Sequence, residues 1–376
     1  MKITCLADLA DPALCRRLVV KVGSSLLVGK DGVRRGWLVD LVAEIAAARA
    51  RGQEVIVVSS GAIALGAAKL KLEKGGRGSL ADAQAAAAVG QIALSGLWAD
   101  LLSEHGLTAA QLLLTLEDLE DRRRYLNATA TLTRLLDAGA VPVINENDSV
   151  ATQEIRFGDN DRLAARVAQA AQANAVLLLS DVDGLFDRNP ADPGAKLLPE
   201  VRGVTAEVHA MATGGSSSGM GSGGMTSKLQ AAEIAERAGI ALAIASGLHD
   251  APIARATAQG IGTLFLPRRK DAGRKAWLGG RLRLKGALVI DAGAAKALGK
   301  GSSLLAAGVV RVEGEFQRGD AVAIRNDAGE TLAHGLAEYD AVECARLMGT
   351  SSAEHAALLG YAPRSAVVHR DQMVVL

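Results

Sequence analysis

Two polar clusters, about fifteen residues apart, contain the side chains best suited to bind a charged ligand. The first, Asn-Glu-Asn-Asp at 145–148, ends an apolar run at 141–144 that predicts a buried strand. The second, Gly-Asp-Asn-Asp at 158–161, opens a predicted helix. Carboxylates and amides at such positions can bind a cation, an ammonium group or a metal-bound phosphate. Each cluster alone is equally typical of loop residues that cap a helix, but two in one connection indicate a ligand site.

Further segments carry residues that can approach phosphate groups. Lys21 is followed by a valine, a glycine and two serines at the end of the first predicted strand, and a Ser-Ser-Gly turn that contains Ser60 follows the second. Residues 214–228 form a glycine- and serine-rich segment that ends at Lys228 and leads into an amphipathic helix. Composition alone would allow a flexible linker there, but a position within the domain favours a polyphosphate loop. The segment lacks the Walker A spacing, so the chain looks like a nucleotide binder without a P-loop.

An acidic turn closes the fifth predicted strand. Asp181 or Asp183 could hydrogen-bond a ribose or help to place Mg²⁺, although a plain turn explains them equally well. The six histidines are scattered without metal-binding spacing, and the three cysteines are too far apart in sequence to form a metal or redox pair. These patterns disfavour metalloenzyme chemistry and predict reduced cysteines that pack in the core.

The elements that must position these residues alternate between short aliphatic runs and long alanine-rich stretches. Strands are predicted at 18–22, 54–59, 111–115, 141–145, 175–180 and 241–245. Helices are predicted at 36–50, 82–103, 121–138, 161–171 and 226–238. This alternation predicts an α/β fold with a mostly parallel sheet covered by helices on both faces. Ligands of such folds bind at the carboxyl ends of the strands, where the candidate residues lie.

The composition and the apolar pattern of the sequence change near residue 266. The following segment is basic and lacks apolar periodicity, which predicts an exposed linker. Beyond it come shorter apolar runs at 287–290, 309–312, 321–324 and 366–369, which predict a small β-rich domain. The predicted organisation is therefore a large ligand-binding domain at 1–266, a linker at 267–283 and a second domain at 284–376.

Length and composition agree with a two-domain cytoplasmic protein. The chain has 376 residues, 49% of them hydrophobic and only 3% aromatic, so its core is built from Ala, Val, Leu and Ile. A formal charge of +1 gives no overall attraction to nucleic acid or to an anionic membrane. The first residues lack the apolar core of a signal peptide, and we expect no apolar run long enough to cross a bilayer.

Taken together, these segments resemble the amino acid kinase family, and the second domain resembles a PUA domain. The kinase-like motifs lie at 20–24, 59–63, 142–148, 157–161, 180–184 and 223–228 and follow the family's order across nearly all of the large domain. The PUA-like motifs lie at 301–305, 314–320 and 367–371. The pairing of the two domains is typical of the branch that phosphorylates the γ-carboxylate of L-glutamate. The chain departs slightly from the family pattern, with about ten extra N-terminal residues and a more polar glycine loop at 214–218.

The resemblance implies a role for each matching residue. Lys21 and Lys228 would contact the ATP phosphates, and Asp161 would organise these two catalytic lysines. Ser60, Asp148 and Asn160 would hold glutamate. The ATP-binding residues implied in addition to Lys21 are Ser180, Asp181, Ser222, Gly223, Gly224, Met225, Thr226, Ser227 and Lys228.

The implied reaction converts ATP and L-glutamate into ADP and L-glutamyl 5-phosphate, the first step of proline biosynthesis. Members of this branch use Mg²⁺, which would arrive with the ATP phosphates rather than in a protein metal site. Proline feedback inhibition and assembly into a homodimer or homotetramer are also implied. A transient transfer of the labile product to glutamate-5-semialdehyde dehydrogenase is compatible with this chemistry.

Two alternatives stay open from the sequence. Another member of the family, such as an acetylglutamate kinase or an aspartokinase, would share the fold, but neither normally carries a PUA domain. An RNA-binding role is suggested by the PUA-like domain itself. From residue 276 to residue 376, however, eleven basic residues balance eleven acidic ones, so the basic footprint of an RNA-binding surface is absent from the composition.

Overall fold

The computed structural model describes residues 2–29, 32–150, 159–213, 224–267, 284–361, 364 and 366–375. The chain forms two compact units, Met1–Lys270 and Asp271–Leu376. Apart from residue 267, the predicted linker lies outside the described residues, and so does most of the glycine-rich segment at 214–228.

An eight-stranded sheet forms the centre of the first unit, with the strand order β5-β6-β4-β1-β7-β9-β10-β8. Strand β10 is antiparallel to β9, and the other neighbouring strands are parallel. Strands β2 and β3 form a separate hairpin. The strands are β1 (Arg17–Val22), β2 (Val28–Gly29), β3 (Gly32–Val33), β4 (Glu54–Ser59), β5 (Ala109–Leu114), β6 (Val141–Glu146), β7 (Ala175–Ser180), β8 (Glu200–Arg202), β9 (Ala241–Ser246) and β10 (Thr263–Leu266).

Helices cover both faces of this sheet. They are α1 (Ser24–Leu27), α2 (Arg35–Ala50), α3 (Ala62–Leu70), α4 (Leu80–Ser103), α5 (Leu116–Glu120), α6 (Arg122–Asp137), α7 (Asp159–Ala170), α8 (Ala206–Thr213), α9 (Met225–Arg237) and α10 (Pro252–Gln259). Alternate residues of β1 enter separate cores, with Val20 facing the core that contains α2 and Val19 the core that contains α7 and α9. Burial on both faces explains why the strands are continuous apolar runs.

The predicted α/β fold is confirmed, and the helices and strands predicted in the first unit lie within two residues of the observed ones. The helix predicted at 121–138 is observed as α6, and the unpredicted helix α5 precedes it as a separate element, because Asp121 breaks the helical path and accepts a hydrogen bond from the Arg124 amide at 3.0 Å. The short strands β8 and β10 were not predicted. Each has at most four residues, too few to show a periodic pattern.

Helix α4 contradicts the expectation that no apolar run is long enough to cross a bilayer. Its 24 residues meet that test by length and composition. In the fold, however, one side of α4 packs in the core through Leu94, Trp98 and Leu101, each 1% exposed. The indole Nε1 of Trp98 also donates a hydrogen bond to Ser59 Oγ at 2.9 Å. Packing of this side in the core therefore accounts for part of the apolar character of α4.

Helices α3 and α4 cross with their backbones in direct contact. A Cβ atom added at Gly66 would lie 1.8 Å from the Ala86 carbonyl oxygen, and one added at Gly90 would lie 1.8 Å from the Ala62 carbonyl oxygen. Only glycine permits this approach. The close crossing sets the position of α4 beside the residues that follow β4, and it fixes the place of Gln91, the neighbour of Gly90.

The second unit contains a five-stranded mixed sheet with the order β12-β11-β13-β14-β15, which confirms the predicted β-rich domain. Its strands and helices are β11 (Gly286–Ile290), β12 (Val309–Gly314), β13 (Ala321–Arg325), β14 (Thr331–Leu336), β15 (Met373–Val375), α11 (Ala292–Gly299), α12 (Ala341–Leu347) and α13 (His355–Leu359). The apolar run at 366–369 is not a strand, because only an isolated bridge joins Val368 to Leu304. The sequence also did not predict β14 and β15.

The prediction that the cysteines pack in the core is right for two of the three. Cys15 and Cys344 are buried, and burial raises the pKa of each thiol to about 12. Cys5 is exposed, so the prediction is wrong there. Residue 5 precedes a 3₁₀ turn at the N-terminus, and only Leu6 and Leu9 of that turn reach the core.

Candidate functional site

The parallel arrangement brings the polar ends of several strands to one edge of the sheet. Strands β4, β1 and β7 are neighbours in that order, and they end at Ser59, Val22 and Ser180. Strand β6 lies beside β4, and the first polar cluster begins at its end. The ends of these four strands therefore lie at one carboxyl edge of the sheet, where ligands of such folds bind.

Three charged side chains meet beneath this edge. Lys21 lies on β1 two residues after Val19, so its side chain leaves the same face of the sheet, where α7 and α9 pack. Helix α7 contributes Asp161 from its first turn, and α9 contributes Lys228 from its first turn. The Lys21 Nζ–Asp161 Oδ1 distance is 2.5 Å, and the Lys228 Nζ–Asp161 Oδ2 distance is 3.2 Å. A single carboxylate thus bridges two ammonium groups.

This charged group, here called the lysine bridge (Lys21, Asp161 and Lys228), is almost completely buried. Asp161 is 1% exposed, and both lysines are 7% exposed. Ser227 Oγ donates a further hydrogen bond to Asp161 Oδ2 at 3.0 Å. Burial by itself would raise the pKa of Asp161, but the two ammonium groups outweigh it, and the pKa of this carboxyl lies below its usual value. The bridge therefore carries one net positive charge in a buried position.

A second group of side chains, here called the amide group, lies beside the lysine bridge and consists of Ser60, Asn145 and Asn160. Asn160 Nδ2 donates to Ser60 Oγ at 2.9 Å and to Asn145 Oδ1 at 3.1 Å. The two polar clusters of the sequence are therefore in direct contact through their asparagines. Asn145 was not predicted as a site residue, although it belongs to the first cluster and is 2% exposed. A buried asparagine at a strand end was the signal that could have identified it.

Asp148 lies two residues beyond the end of β6. The turn that carries it is tied to the sheet by a hydrogen bond from the Asn147 amide to the Leu114 carbonyl oxygen at 3.1 Å. The Asp148 carboxylate interacts electrostatically with Arg77, which follows the 3₁₀ turn between α3 and α4. The structure thus places Asp148 on the β6–α7 connection. Residues 151–158 of that connection lie outside the described part of the chain.

The predicted nucleotide residues divide between two places. Ser180 is 6% exposed at the end of β7, and its hydroxyl donates to Asp181 Oδ1 at 3.0 Å. Gly224, Met225 and Thr226 form the start of α9, in the turn that also contains Ser227 and Lys228. Ser222 and Gly223 lie outside the described residues. Backbone N–H groups at the start of a helix are suited to binding an anion, and here Lys228 adds a buried positive charge.

Asp183 has a structural partner. Its Oδ1 atom lies 3.1 Å from a terminal nitrogen of Arg255 on α10. Among the described residues, no group of three or more His, Cys, Asp or Glu side chains could hold a metal ion. The arrangement can therefore offer positive charge and amide hydrogen bonds to anionic ligands at this edge of the sheet.

The sequence matches the amino acid kinase family over residues 16–246 and the PUA domain over residues 286–359. Among similar proteins, the glutamate 5-kinase of Novosphingobium aromaticivorans is 73% identical over 377 residues, with 100% of both chains covered. The glutamate 5-kinase of Sphingopyxis alaskensis is 60% identical over 98% of this chain and 100% of the relative. That of Zymomonas mobilis is 54% identical over 97% of this chain and 92% of the relative.

Among solved structures, a carbamate kinase from Giardia lamblia bound to AMP-PNP is 16% identical, with a TM-score of 0.49, and covers 67% of this chain and 98% of its own. This similarity is too low to bear on the chemistry of the site. The sequence relatives decide the family, because they match both units over their full length. The chain belongs to the amino acid kinase family, groups with its glutamate 5-kinases and carries a PUA domain.

Proposed function

We propose that this chain transfers the γ-phosphoryl group of ATP to the γ-carboxylate of L-glutamate, which gives ADP and L-glutamyl 5-phosphate. Relatives that are glutamate 5-kinases, up to 73% identical over the full length, support this assignment. The observation that carries the proposal is the buried lysine bridge beside the amide group, at the carboxyl edge of the parallel sheet. The product would enter proline biosynthesis.

The chemistry requires charge neutralisation rather than a base. The side chain of free glutamate is already ionised at pH 7, because its reference pKa is about 4.3, so it needs no proton abstraction to attack. The obstacle is the approach of two anions and the movement of charge toward the leaving phosphate. Lys21 and Lys228 supply fixed positive charge in a position that is buried from solvent, where electrostatic stabilisation is strong. Asp161 holds both ammonium groups in place before the substrates bind.

Glutamate would bind next to the amide group. Ser60 and Asn160 offer a hydroxyl and an amide, and Asp148 offers a carboxylate suited to the α-ammonium group of an amino acid. The oxygen of the Asn160 side chain is buried and has no hydrogen-bond partner among the described residues. A buried acceptor without a donor is rare unless a ligand satisfies it. This atom supports the assignment of Asn160 to the substrate site.

ATP would bind between the end of β7 and the start of α9. Ser180 and Asp181 would line one side, and the segment from Ser222 to Lys228 would hold the phosphates. Mg²⁺ would be bound mainly by the phosphates, because this ion typically takes only one or two protein carboxylates in kinases. Asp161 is committed to the two lysines, so Asp181 is the side chain in this group that fits as a carboxylate ligand of Mg²⁺.

Further properties belong to the same proposal. We expect a cytoplasmic enzyme that is inhibited by proline and assembles as a homodimer or homotetramer. The acyl phosphate hydrolyses readily, so a transient transfer to glutamate-5-semialdehyde dehydrogenase would protect it. We assign the kinase activity to the domain at 1–266 and a structural or regulatory role to the PUA domain at 284–376, joined by the linker at 267–283. The relatives give no support to acetylglutamate kinase, aspartokinase or RNA binding as alternatives.

The test is ATP turnover with Mg²⁺ in the presence of hydroxylamine, which converts an acyl phosphate into a coloured hydroxamate. L-glutamate should be compared with N-acetylglutamate, aspartate and UMP, each with and without proline. The proposal predicts hydroxamate from L-glutamate alone and less of it when proline is present. Hydroxamate from N-acetylglutamate or aspartate, with none from L-glutamate, would contradict the assignment.

A further inference from the structure

The amide group continues away from the substrate site into helix α4. Asn145 Nδ2 donates to Gln91 Oε1 at 2.9 Å, and Gln91 Nε2 donates to Ser95 Oγ at 3.1 Å. Ser95 Oγ in turn donates to the Gln91 main-chain carbonyl oxygen at 2.8 Å. Together with the bond from Asn160 to Asn145, these contacts form a chain of hydrogen bonds, here called the amide relay (Ser95, Gln91, Asn145 and Asn160).

The orientation of donors and acceptors along the amide relay is determined at Ser95, the end that lies farthest from the substrate site. A side-chain amide can turn by 180°, so the contacts of its neighbours decide which end is the oxygen. The Ser95 hydroxyl has one proton, and it donates that proton to a main-chain carbonyl group, which can only accept. Ser95 Oγ must therefore act as an acceptor toward Gln91. This places the Gln91 NH₂ group toward Ser95 and the Gln91 oxygen toward Asn145.

The same constraint passes along the relay to the substrate site. Because Gln91 presents an acceptor, Asn145 must present its NH₂ group to Gln91 and its oxygen to Asn160. Asn160 then directs its NH₂ group toward Asn145 and Ser60. Its oxygen is left as the buried atom without a partner among the described residues. The relay thus ends in an acceptor, which a donor on the ligand would satisfy.

We propose that Gln91 is a positioning residue that holds the Asn160 side-chain oxygen toward the substrate and so favours ligands with an α-ammonium group. The proposal rests on the proposed function, since it names the part of glutamate that this oxygen meets. Gln91 itself acts through Asn145. An ammonium group supplies the donor that the oxygen lacks, and a hydrogen bond to a charged group typically changes affinity by about ten- to hundred-fold.

The experiment compares Gln91→Leu with the wild type on L-glutamate and on glutarate, which has both carboxylates but no ammonium group. The readouts are the KM for glutamate and the inhibition constant of glutarate against glutamate, from hydroxamate formation. Loss of the acceptor at position 91 frees the two asparagine amides to turn. We expect the KM for glutamate to rise about tenfold, the glutarate constant to change less than about twofold and the KM for ATP to stay unchanged.

Gln91→Glu is the conservative variant, because a carboxylate still accepts from Asn145, and it should retain the wild-type ratio of the two constants. Gln259→Leu makes the same exchange at an exposed glutamine that ends α10, and it should change nothing. If Gln91→Leu does not fold, Ser95→Ala carries the test, since it releases the fixed end of the relay without touching the substrate site. It should raise the KM for glutamate about threefold.

A parallel rise of both constants in Gln91→Leu would overturn the proposal, because a general loss of structure affects both ligands alike. An unchanged ratio in Gln91→Leu, or an equal loss in Gln91→Glu, would overturn it as well. Wild-type protein that forms no hydroxamate from glutamate would refute the proposed function, and the relay with it. An active wild type with an unchanged ratio in the variant refutes the relay alone.

Discussion

Replacement of Asp161 by asparagine removes the negative charge that holds the lysine bridge together. The two ion-pair distances, 2.5 and 3.2 Å, place the two ammonium groups about 8 Å apart or less. At an effective dielectric constant of about 20, their mutual repulsion at this distance is on the order of 2 kcal/mol. Loss of a buried partner typically costs about 3–5 kcal/mol in all. We therefore expect Asp161→Asn to lower the free energy of unfolding of the first unit by about that amount.

Urea denaturation followed by tryptophan fluorescence measures this change, because Trp37 and Trp98 are both buried in the first unit. The pKa of Asp161 lies below its ordinary value of 3.8, so its carboxylate stabilises the fold fully above that value. The contribution disappears as the pH falls through the lower folded-state pKa. The difference between wild type and variant should therefore be constant near neutral pH and shrink below about pH 4.

The same variant tests the catalytic role. Without Asp161 the lysines lose their fixed positions, so kcat should fall at least about a hundred-fold. ATP binding should not weaken, because a negative charge has been removed beside the phosphate site. Glu104→Gln is the control, since it breaks an exposed ion pair with Arg35 and should cost less than about 1 kcal/mol. An unfolding midpoint equal to that of the wild type, together with a kcat within about threefold of it, would refute the reasoning.

Other changes test other parts of the molecule. Lys228→Ala should lower kcat by about a hundred-fold or more, and near-normal turnover would argue against the assignment of this lysine. Asp148→Ala should raise mainly the KM for glutamate, whereas a raised KM for ATP alone would place this carboxylate elsewhere. Gly90→Ala should lower the melting temperature by several degrees, because its Cβ atom would lie 1.8 Å from the Ala62 carbonyl oxygen; an unchanged melting temperature would contradict the close crossing. Removal of 284–376 should leave turnover largely intact while it alters proline inhibition or assembly, and a collapse of turnover would refute a merely regulatory role.

The sequence by itself determined the class of the fold and the edge of the sheet at which the site lies. Aliphatic runs that are buried on both faces form strands, and alternation with helices makes the strands parallel. Residues that follow parallel strands then meet at one edge without further information. Lys21, Ser60 and Ser180 were therefore predictable as neighbours of a single site from their places at strand ends.

Only the tertiary structure decided which side chains touch. The contact of one carboxylate with two lysines depends on how α7 and α9 pack on β1, and no local pattern encodes that packing. The contact between Gln91 and Asn145 could not be predicted from the sequence for the same reason, since Gln91 lies on an apolar helix more than fifty residues from Asn145. Its role depends on glycines that let α3 and α4 approach, and a long-range contact of this kind follows from packing rather than from sequence spacing.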